Sequence, residues 1–269
     1  MADRFPLTLP EGAKGVLVVG DLHGHPELFD PMIALARQEE RYLVCLGDLV
    51  DRGPDNAATV RQMLQLLAQG QGLFIRGNHD DKLFRTLKGN PTVVDSDLAV
   101  TLEQLDAAAD GKLLKKRFAE AYRAAPFLVT LGRTVLVHGG MAPAMLKSRS
   151  LPRKLKALAL YGEASRVHGG KKPIRTYRWL DAVPGGMNVV IGHHPISDHT
   201  VLVRTNAVGG RLIHLDCGAG KGRGLGALRL DRDGHVMSAC RAVREDDGVA
   251  VGPAVLEPVT RIAEEDEIG

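Results

Sequence analysis

The chain predicts an α/β fold, and three observations predict it. Six short runs of β-branched and aliphatic residues recur at 15–19, 42–46, 73–75, 134–137, 187–191 and 211–215. Helical patterns separate several of them, and five of the six runs end in a glycine beside a potential metal ligand.

Residues 26–39 carry a helical apolar pattern. Asp55 is placed to cap a second helix reaching about Gln69, with Val60, Met63, Leu64 and Leu67 on one face. Strands alternating with helices bring their carboxyl ends to a common crevice, so the glycine-ligand clusters are expected to meet in space. Residues 81–125 break the alternation with amphipathic stretches at 97–109 and 112–123, expected to form a helical insertion beside that crevice. Residues 1–245 are expected to form one domain, followed by an acidic, weakly patterned tail at 246–269 that frays. The segment 147–178 is basic and poor in strand signal; a solvated loop surface is the expectation, and a wall attracting a phosphorylated substrate the sharper alternative.

The 269 residues, 44% hydrophobic and 25% charged, suit a globular protein with ample material for a core. No basic start precedes a long apolar region, and nowhere do about 18 apolar residues run unbroken, so neither export nor a membrane span is expected. Three scattered cysteines make no C-x-x-C pair and fit a reducing cytoplasm; Cys45, inside an apolar run, reads as a small buried hydrophobe. A net charge of +3 permits an anionic partner without requiring one.

The chemistry lies in the strand ends. The first run leads into Gly20-Asp21-Leu22-His23-Gly24, the second into Gly47-Asp48-Leu49-Val50-Asp51-Arg52-Gly53, and the third into Arg76-Gly77-Asn78-His79-Asp80. The fourth leads into His138-Gly139-Gly140 and the fifth into Gly192-His193-His194. A mixed set of Asp, Asn and His suits first-row divalent metals better than a structural zinc site, which favours thiolates. So many candidates fit two ions sharing a carboxylate, an arrangement that activates water near neutral pH and stabilises oxygens on phosphorus. Phosphoester hydrolysis is the chemistry inferred.

These five blocks, in this order, resemble the signature blocks of calcineurin-like metallophosphoesterases of the phosphoprotein-phosphatase type. Asn-His-Asp-Asp-Lys-Leu at 78–83 and Tyr161-Gly162-Glu163 resemble bacterial members most, including stand-alone phosphatases and the phosphatase module of polynucleotide kinase-phosphatase. The resemblance implies a two-sheet sandwich flanked by helices. It implies that Asp21 and His23 hold one metal, that Asp48 bridges, and that Asn78, His138 and His193 hold the second. By the same resemblance Asp51 orients His79, the general acid, Arg52 and Arg76 grip phosphoryl oxygens, and a metal-bridging hydroxide attacks phosphorus. Manganese is the metal it suggests, with iron or zinc as alternatives.

Other residues take ordinary readings. His25 has no ligand role, and His194 stands outside the ligand set; His168 reads as loop; His199, His214 and His235 have no supporting context. Asp216 reads as a turn residue, the acids following His79 as the start of a helix, and the glycines of 218–226 as turn glycines, the Walker spacing being missing. The expected activity is hydrolysis of phosphomonoesters on phosphoproteins. Alternatives are a nucleotide or nucleic-acid end phosphatase, a 2′,3′-phosphodiesterase, a dinucleoside polyphosphate hydrolase, or a non-catalytic scaffold on the same fold. Nucleic acid is not the favoured partner, since 4% aromatic residues offer few stacking platforms.

Overall fold

The structure, a computed structural model, describes residues 2–165, 174–197 and 200–260. In chain order its strands are β1 (Arg4–Pro6), β2 (Gly15–Val19), β3 (Arg41–Cys45), β4 (Gly72–Phe74), β5 (Leu128–Leu131), β6 (Thr134–Val137), β7 (Glu163–Ser165), β8 (Ile174–Thr176), β9 (Asn188–Ile191), β10 (Thr200–Thr205), β11 (Arg211–His214), β12 (Gly224–Leu230), β13 (Val236–Glu245) and β14 (Gly248–Val259). The α-helices are α1 (Pro26–Gln38), α2 (Asn56–Ala68), α3 (Asn78–Leu87), α4 (Ser96–Ala107), α5 (Gly111–Ala124) and α6 (Arg153–Tyr161).

Twelve strands form one curled sheet in the order β1-β5-β6-β9-β11-β10-β14-β13-β12-β2-β3-β4, with β7 and β8 as a separate hairpin. The sheet folds back on itself, so that Val16, Val18, Val44 and Leu46 of one half pack with Val129, Leu136, Val190 and Ile213 of the other. That is the expected sandwich, with its two layers joined edge to edge. The join is β14, antiparallel to β13 and parallel to β10, with Ala239 opposite Ala254 and Thr200 opposite Val255.

The join corrects the expectation of a fraying tail from residue 246. Its alternating half-buried pattern, spaced by Pro253 and Pro258, lacks the dense apolar run of a central strand, so the local signal is weak; backbone pairing on both sides places it. Residues 261–269 lie outside the described residues.

Outside the first half-sheet, α1, α2 and α5 cover a second core containing Phe29, Met32, Met63 and Phe118. Outside the other half, Met141, Leu160, Trp179 and Leu180 form a third. Asp55 caps α2 as expected, accepting from Ala58 N at 2.8 Å. The stretch expected as an insertion forms most of α3 and all of α4 and α5. The segment 147–178 is not simply loop: it contains α6 and both strands of the β7-β8 hairpin. Gly218 and Gly222 occupy left-handed turn positions, but Gly224 and Gly226 lie inside β12. Among the described residues no helix is long and apolar enough to cross a membrane.

Candidate metal centre and its surroundings

Parallel pairing aligns β2, β3 and β4, and likewise β6, β9 and β11, so both groups deliver their carboxyl ends to one end of the sandwich. The glycines at these ends allow close approach. A Cβ on Gly77 would lie 2.2 Å from Asp48 N and Oδ1, and one on Gly192 would lie 1.9 Å from Asp21 Oδ1. Backbone strain gathers at the same place. Six non-glycine described residues have positive φ: Glu40, and the five candidates His23 (46°), Asp48 (49°), Asp51 (75°), Arg52 (71°) and His193 (67°).

Hydrogen bonds fix each imidazole. His23 Nδ1 donates to Val50 O (3.0 Å) and His138 Nδ1 to Leu46 O (2.9 Å), which leaves Nε2 of each as the nitrogen whose lone pair can ligate. His193 is held the other way, Nε2 donating to Tyr161 O at 3.1 Å, so its Nδ1 carries the lone pair that can ligate. That Nδ1 lies 3.1 Å from His138 Nε2, which in turn lies 3.0 Å from Asn78 Oδ1 and 3.4 Å from Asp48 Oδ2. Such spacings are those of ligand atoms arranged about a common centre roughly 2.0–2.2 Å away.

Asp48 also faces His23, its Oδ2 3.8 Å from His23 Nε2, and His79 completes a second group with these two. The Asp48 carboxylate is therefore common to both groups, the position a bridging ligand needs. Asp21 lies beside them rather than within the second group: Oδ2 accepts from His193 N at 2.8 Å, while Oδ1 is buried with no partner.

The charge balance favours cations. Burial pushes the Asp21 carboxyl well above the carboxylate range, with Asp216 and Asp48 pushing the same way. Asp216 is pushed up to about 6, first by burial and further by Asp48. At Asp48 burial is outweighed by His138, His79 and His23, which hold it well below its ordinary value. Burial lowers His23 to about 3 and takes His193 well down. His138 is pushed up to about 9 because Asp48 and Asp21 overcome burial. Three crowded buried carboxylates, an orphaned oxygen, two imidazoles held neutral by burial, and a third, His138, drawn toward positive charge by Asp48 and Asp21 make a site whose excess negative charge fits divalent ions.

His79 stands at the start of α3, its N–H donating to Asp48 Oδ1 (2.9 Å) and its Nδ1 bonded to Asp51 Oδ2 (2.6 Å). Burial opposes its protonation, but Asp48 and Asp51 prevail and raise its pKa. Arg52 reaches the same place, with Nη1 3.2 Å from His23 Nε2 and Nη2 3.2 Å from His79 Nε2. Asp80, expected to start a helix, accepts from Gly77 N (3.2 Å) and Leu49 N (2.9 Å) at the head of α3.

Arg76 is elsewhere, contrary to the expected grip on phosphate. Its Nε donates to Ala125 O (2.8 Å) and its Nη2 to Arg123 O (2.9 Å), and the guanidinium lies against Phe127 and Tyr122, 4.6 and 4.9 Å from the ring centres. The end of α5 leaves carbonyls without helical partners, and Arg76 satisfies them.

Three neighbours of the site were not assigned to it from the sequence. Asp216 makes its expected turn bond to Gly218 N (2.9 Å) but also joins the carboxylate cluster; it follows the sixth strand run directly, though with no glycine beside it. Arg175, on β8, is pushed down by burial while Asp48, Asp21 and Asp216 act on it, and its Nη1 donates to Tyr161 O (3.2 Å). Nothing local marks it among so many basic residues. His194, outside the ligand set, bonds Tyr177 Oη through Nδ1 at 2.6 Å. His25 pairs with Glu27, and buried His214 packs edge-on against Tyr177. His168 and His199 lie outside the described residues.

The pattern of the calcineurin-like phosphoesterase family matches residues 15–216. Asymmetrical bis(5′-nucleosyl)-tetraphosphatase PrpE of Bacillus velezensis is 31% identical over 231 residues, covering 79% of this chain and 88% of that protein. The Bacillus subtilis protein of the same name is 30% identical, covering 79% and 89%. Among solved structures, a candidate diadenosine tetraphosphatase aligns with a TM-score of 0.57 at 21% identity, covering 94% of this chain and 99% of that one. A cold-active protein-tyrosine phosphatase from a psychrophilic Shewanella aligns at 0.53 and 16%, covering 93% and 82%. These likenesses between structures concern the fold. With three quarters of its length matched by the family pattern, and with relatives at 30% identity or more, the chain belongs to the calcineurin-like phosphoesterases.

Proposed function

We propose that this phosphoesterase hydrolyses dinucleoside polyphosphates asymmetrically, dividing a dinucleoside tetraphosphate into a nucleoside triphosphate and a nucleoside monophosphate. The observation that carries the reading is the 31% identity, over 79% of the chain, to a relative named for that reaction. Tyr161 supports it. Among the described residues it is the one aromatic among the exposed large hydrophobics, 46% exposed, and its backbone carbonyl accepts from both His193 and Arg175, so its backbone stands beside the centre and its ring would suit stacking on a nucleobase. The phosphoprotein reading becomes the second choice, resting on a fold likeness at 16% identity.

Asp21, His23, Asp48, Asn78, His138 and His193 would hold two divalent ions, with manganese proposed first and iron or zinc as alternatives. Such ions, when bound, supply Lewis-acid charge to phosphoryl oxygens and lower the pKa of water. Arg52 offers its guanidinium fork to the phosphoryl group. His79, with Nδ1 fixed on Asp51 and its pKa raised by Asp48 and Asp51 against burial, would, when protonated at Nε2, give that proton to the departing oxygen. Three free cysteines, all buried, fit a reducing compartment such as the cytoplasm.

The test is chromatography of the products from bis(5′-adenosyl) tetraphosphate, with a phosphotyrosine and a phosphoserine peptide assayed alongside. Protein stripped with a chelator is compared with protein given back manganese. Equal amounts of ATP and AMP, formed only with metal, are expected. Two ADP per substrate, or higher kcat/KM on a phosphopeptide, would overturn the reading.

A further inference from the structure

Asp51 and Arg52 both adopt left-handed backbone conformations, φ 75° and 71°, in succession. For residues with a Cβ this conformation is strained, so the surroundings must hold the turn in place. One face of α4 supplies the hold. Thr101, wholly buried, donates its hydroxyl to Asp51 Oδ1 at 2.5 Å. Asp97, one turn earlier, places Oδ2 3.7 Å from Arg52 Nε. Gln104, one turn later, accepts from Asn56 N (2.7 Å) and Asn56 Nδ2 (2.8 Å) and donates to Pro54 O (2.9 Å). Residues spaced three and four apart lie on one side of a helix, and all three of these reach the single turn 51–56.

We propose that this face of α4 is the positioning element of the proton donor, with Thr101 as its central residue. Both oxygens of the Asp51 carboxylate are engaged, Oδ1 by Thr101 and Oδ2 by His79 Nδ1 at 2.6 Å. With Oδ1 fixed, the carboxylate plane cannot rotate, and the imidazole of His79 keeps Nε2 aimed at the site. Thr101 Oγ1 also lies 3.1 Å from Asp97 O. A hydroxyl has one proton, and the shorter contact to a charged acceptor takes it. Thr101 touches no substrate; it acts through Asp51 and then His79.

The inference rests on His79 being the proton donor of a phosphoesterase, whatever the ester. Two readouts separate its failure from the failure of that reading. First, Thr101→Val removes the donor at nearly constant shape, and Thr101→Ser restores it. On aryl phosphates, Thr101→Val should lower kcat roughly 10–100-fold for phenyl phosphate and far less for 2,4-dinitrophenyl phosphate, whose phenoxide leaves unaided, with KM unchanged. Thr101→Ser should recover most of the loss. Second, the downfield proton NMR signal of the His79 Nδ1–H, assigned by its absence in His79→Ala, should move upfield or vanish in Thr101→Val and return in Thr101→Ser. That signal needs no turnover. An unmoved signal in Thr101→Val, or equal kcat losses across the leaving groups, would overturn the positioning role. Should Thr101→Val fail to fold, Gln104→Leu loosens the same turn without touching Asp51 and should displace the same signal; an unmoved signal there would likewise count against the role of the face.

Discussion

The backbone N–H of His193 donates to Asp21 Oδ2 at 2.8 Å, fastening the fifth strand-end junction to the first across the sandwich. Gly192, just before it, stands where a Cβ would meet Asp21 Oδ1 at 1.9 Å, so the junction closes only with glycine there.

Gly192→Ala is therefore expected to push Asp21 away from the centre and weaken metal binding by about 10-fold or more, as when an outer contact to a ligand is lost. Gly252→Ala, in β14 with nothing within 4 Å, is the control and should bind as the parent does. Metal titration by calorimetry checks both; equal affinity in the two variants would separate Asp21 from the ions.

His79→Ala should retain its metal and lose turnover according to the leaving group. A phenoxide needs a proton and should suffer by roughly 10²–10⁴ in kcat, the usual share of general acid catalysis. A nucleotide phosphate is a much weaker base, so cleavage of a dinucleoside tetraphosphate should fall far less. Metal content by plasma mass spectrometry and kcat on the two substrates check this, and an equal loss on both would remove the proton-donor role.

Arg76→Ala should change stability rather than substrate binding. It unsatisfies the carbonyls of Arg123 and Ala125 and strips a cation from two aromatic rings, a loss of about 1–3 kcal/mol. Denaturant melts should show the loss while KM stays at the parent value. A raised KM with unchanged stability would return Arg76 to the phosphate.

Acid should loosen the corner where α1 meets the sheet. Glu39 accepts from Arg229 Nε (2.8 Å) and Nη2 (2.8 Å) and from Arg41 Nε (2.8 Å); the Arg229 bonds chiefly, then Arg41, outweigh burial and lower its pKa from 4.5. A lowered folded pKa means that the stabilisation is complete above pH 4.5 and is lost as pH falls through the folded value. Glu39→Gln should cost on the order of 1 kcal/mol at pH 7, and the gap from the parent should narrow below pH 4.5. Urea melts at pH 7 and at successively lower pH check it.

By itself the sequence determined the elements nearest the chemistry. The strands at 15–19 and 134–137 begin and end where their apolar runs do, and Asp55 caps α2, because burial on both faces and capping write local signals. The strand-end blocks named the residues that now crowd one end of the sandwich, because glycine beside an acid or an imidazole is itself a statement about close approach. Only the tertiary structure decided the rest. β14 is a strand because β13 and β10 flank it, although its alternation is faint and interrupted by proline. The same chemical group, a guanidinium one residue before a glycine, reaches His23 and His79 in Arg52 and the end of a helix in Arg76, because the carbonyls at 123 and 125 reach Arg76 first. Thr101 stands 50 residues from Asp51, and Asp216 lies 195 residues from Asp21. No local pattern carries such distances; packing a helix face and a strand end against one turn does.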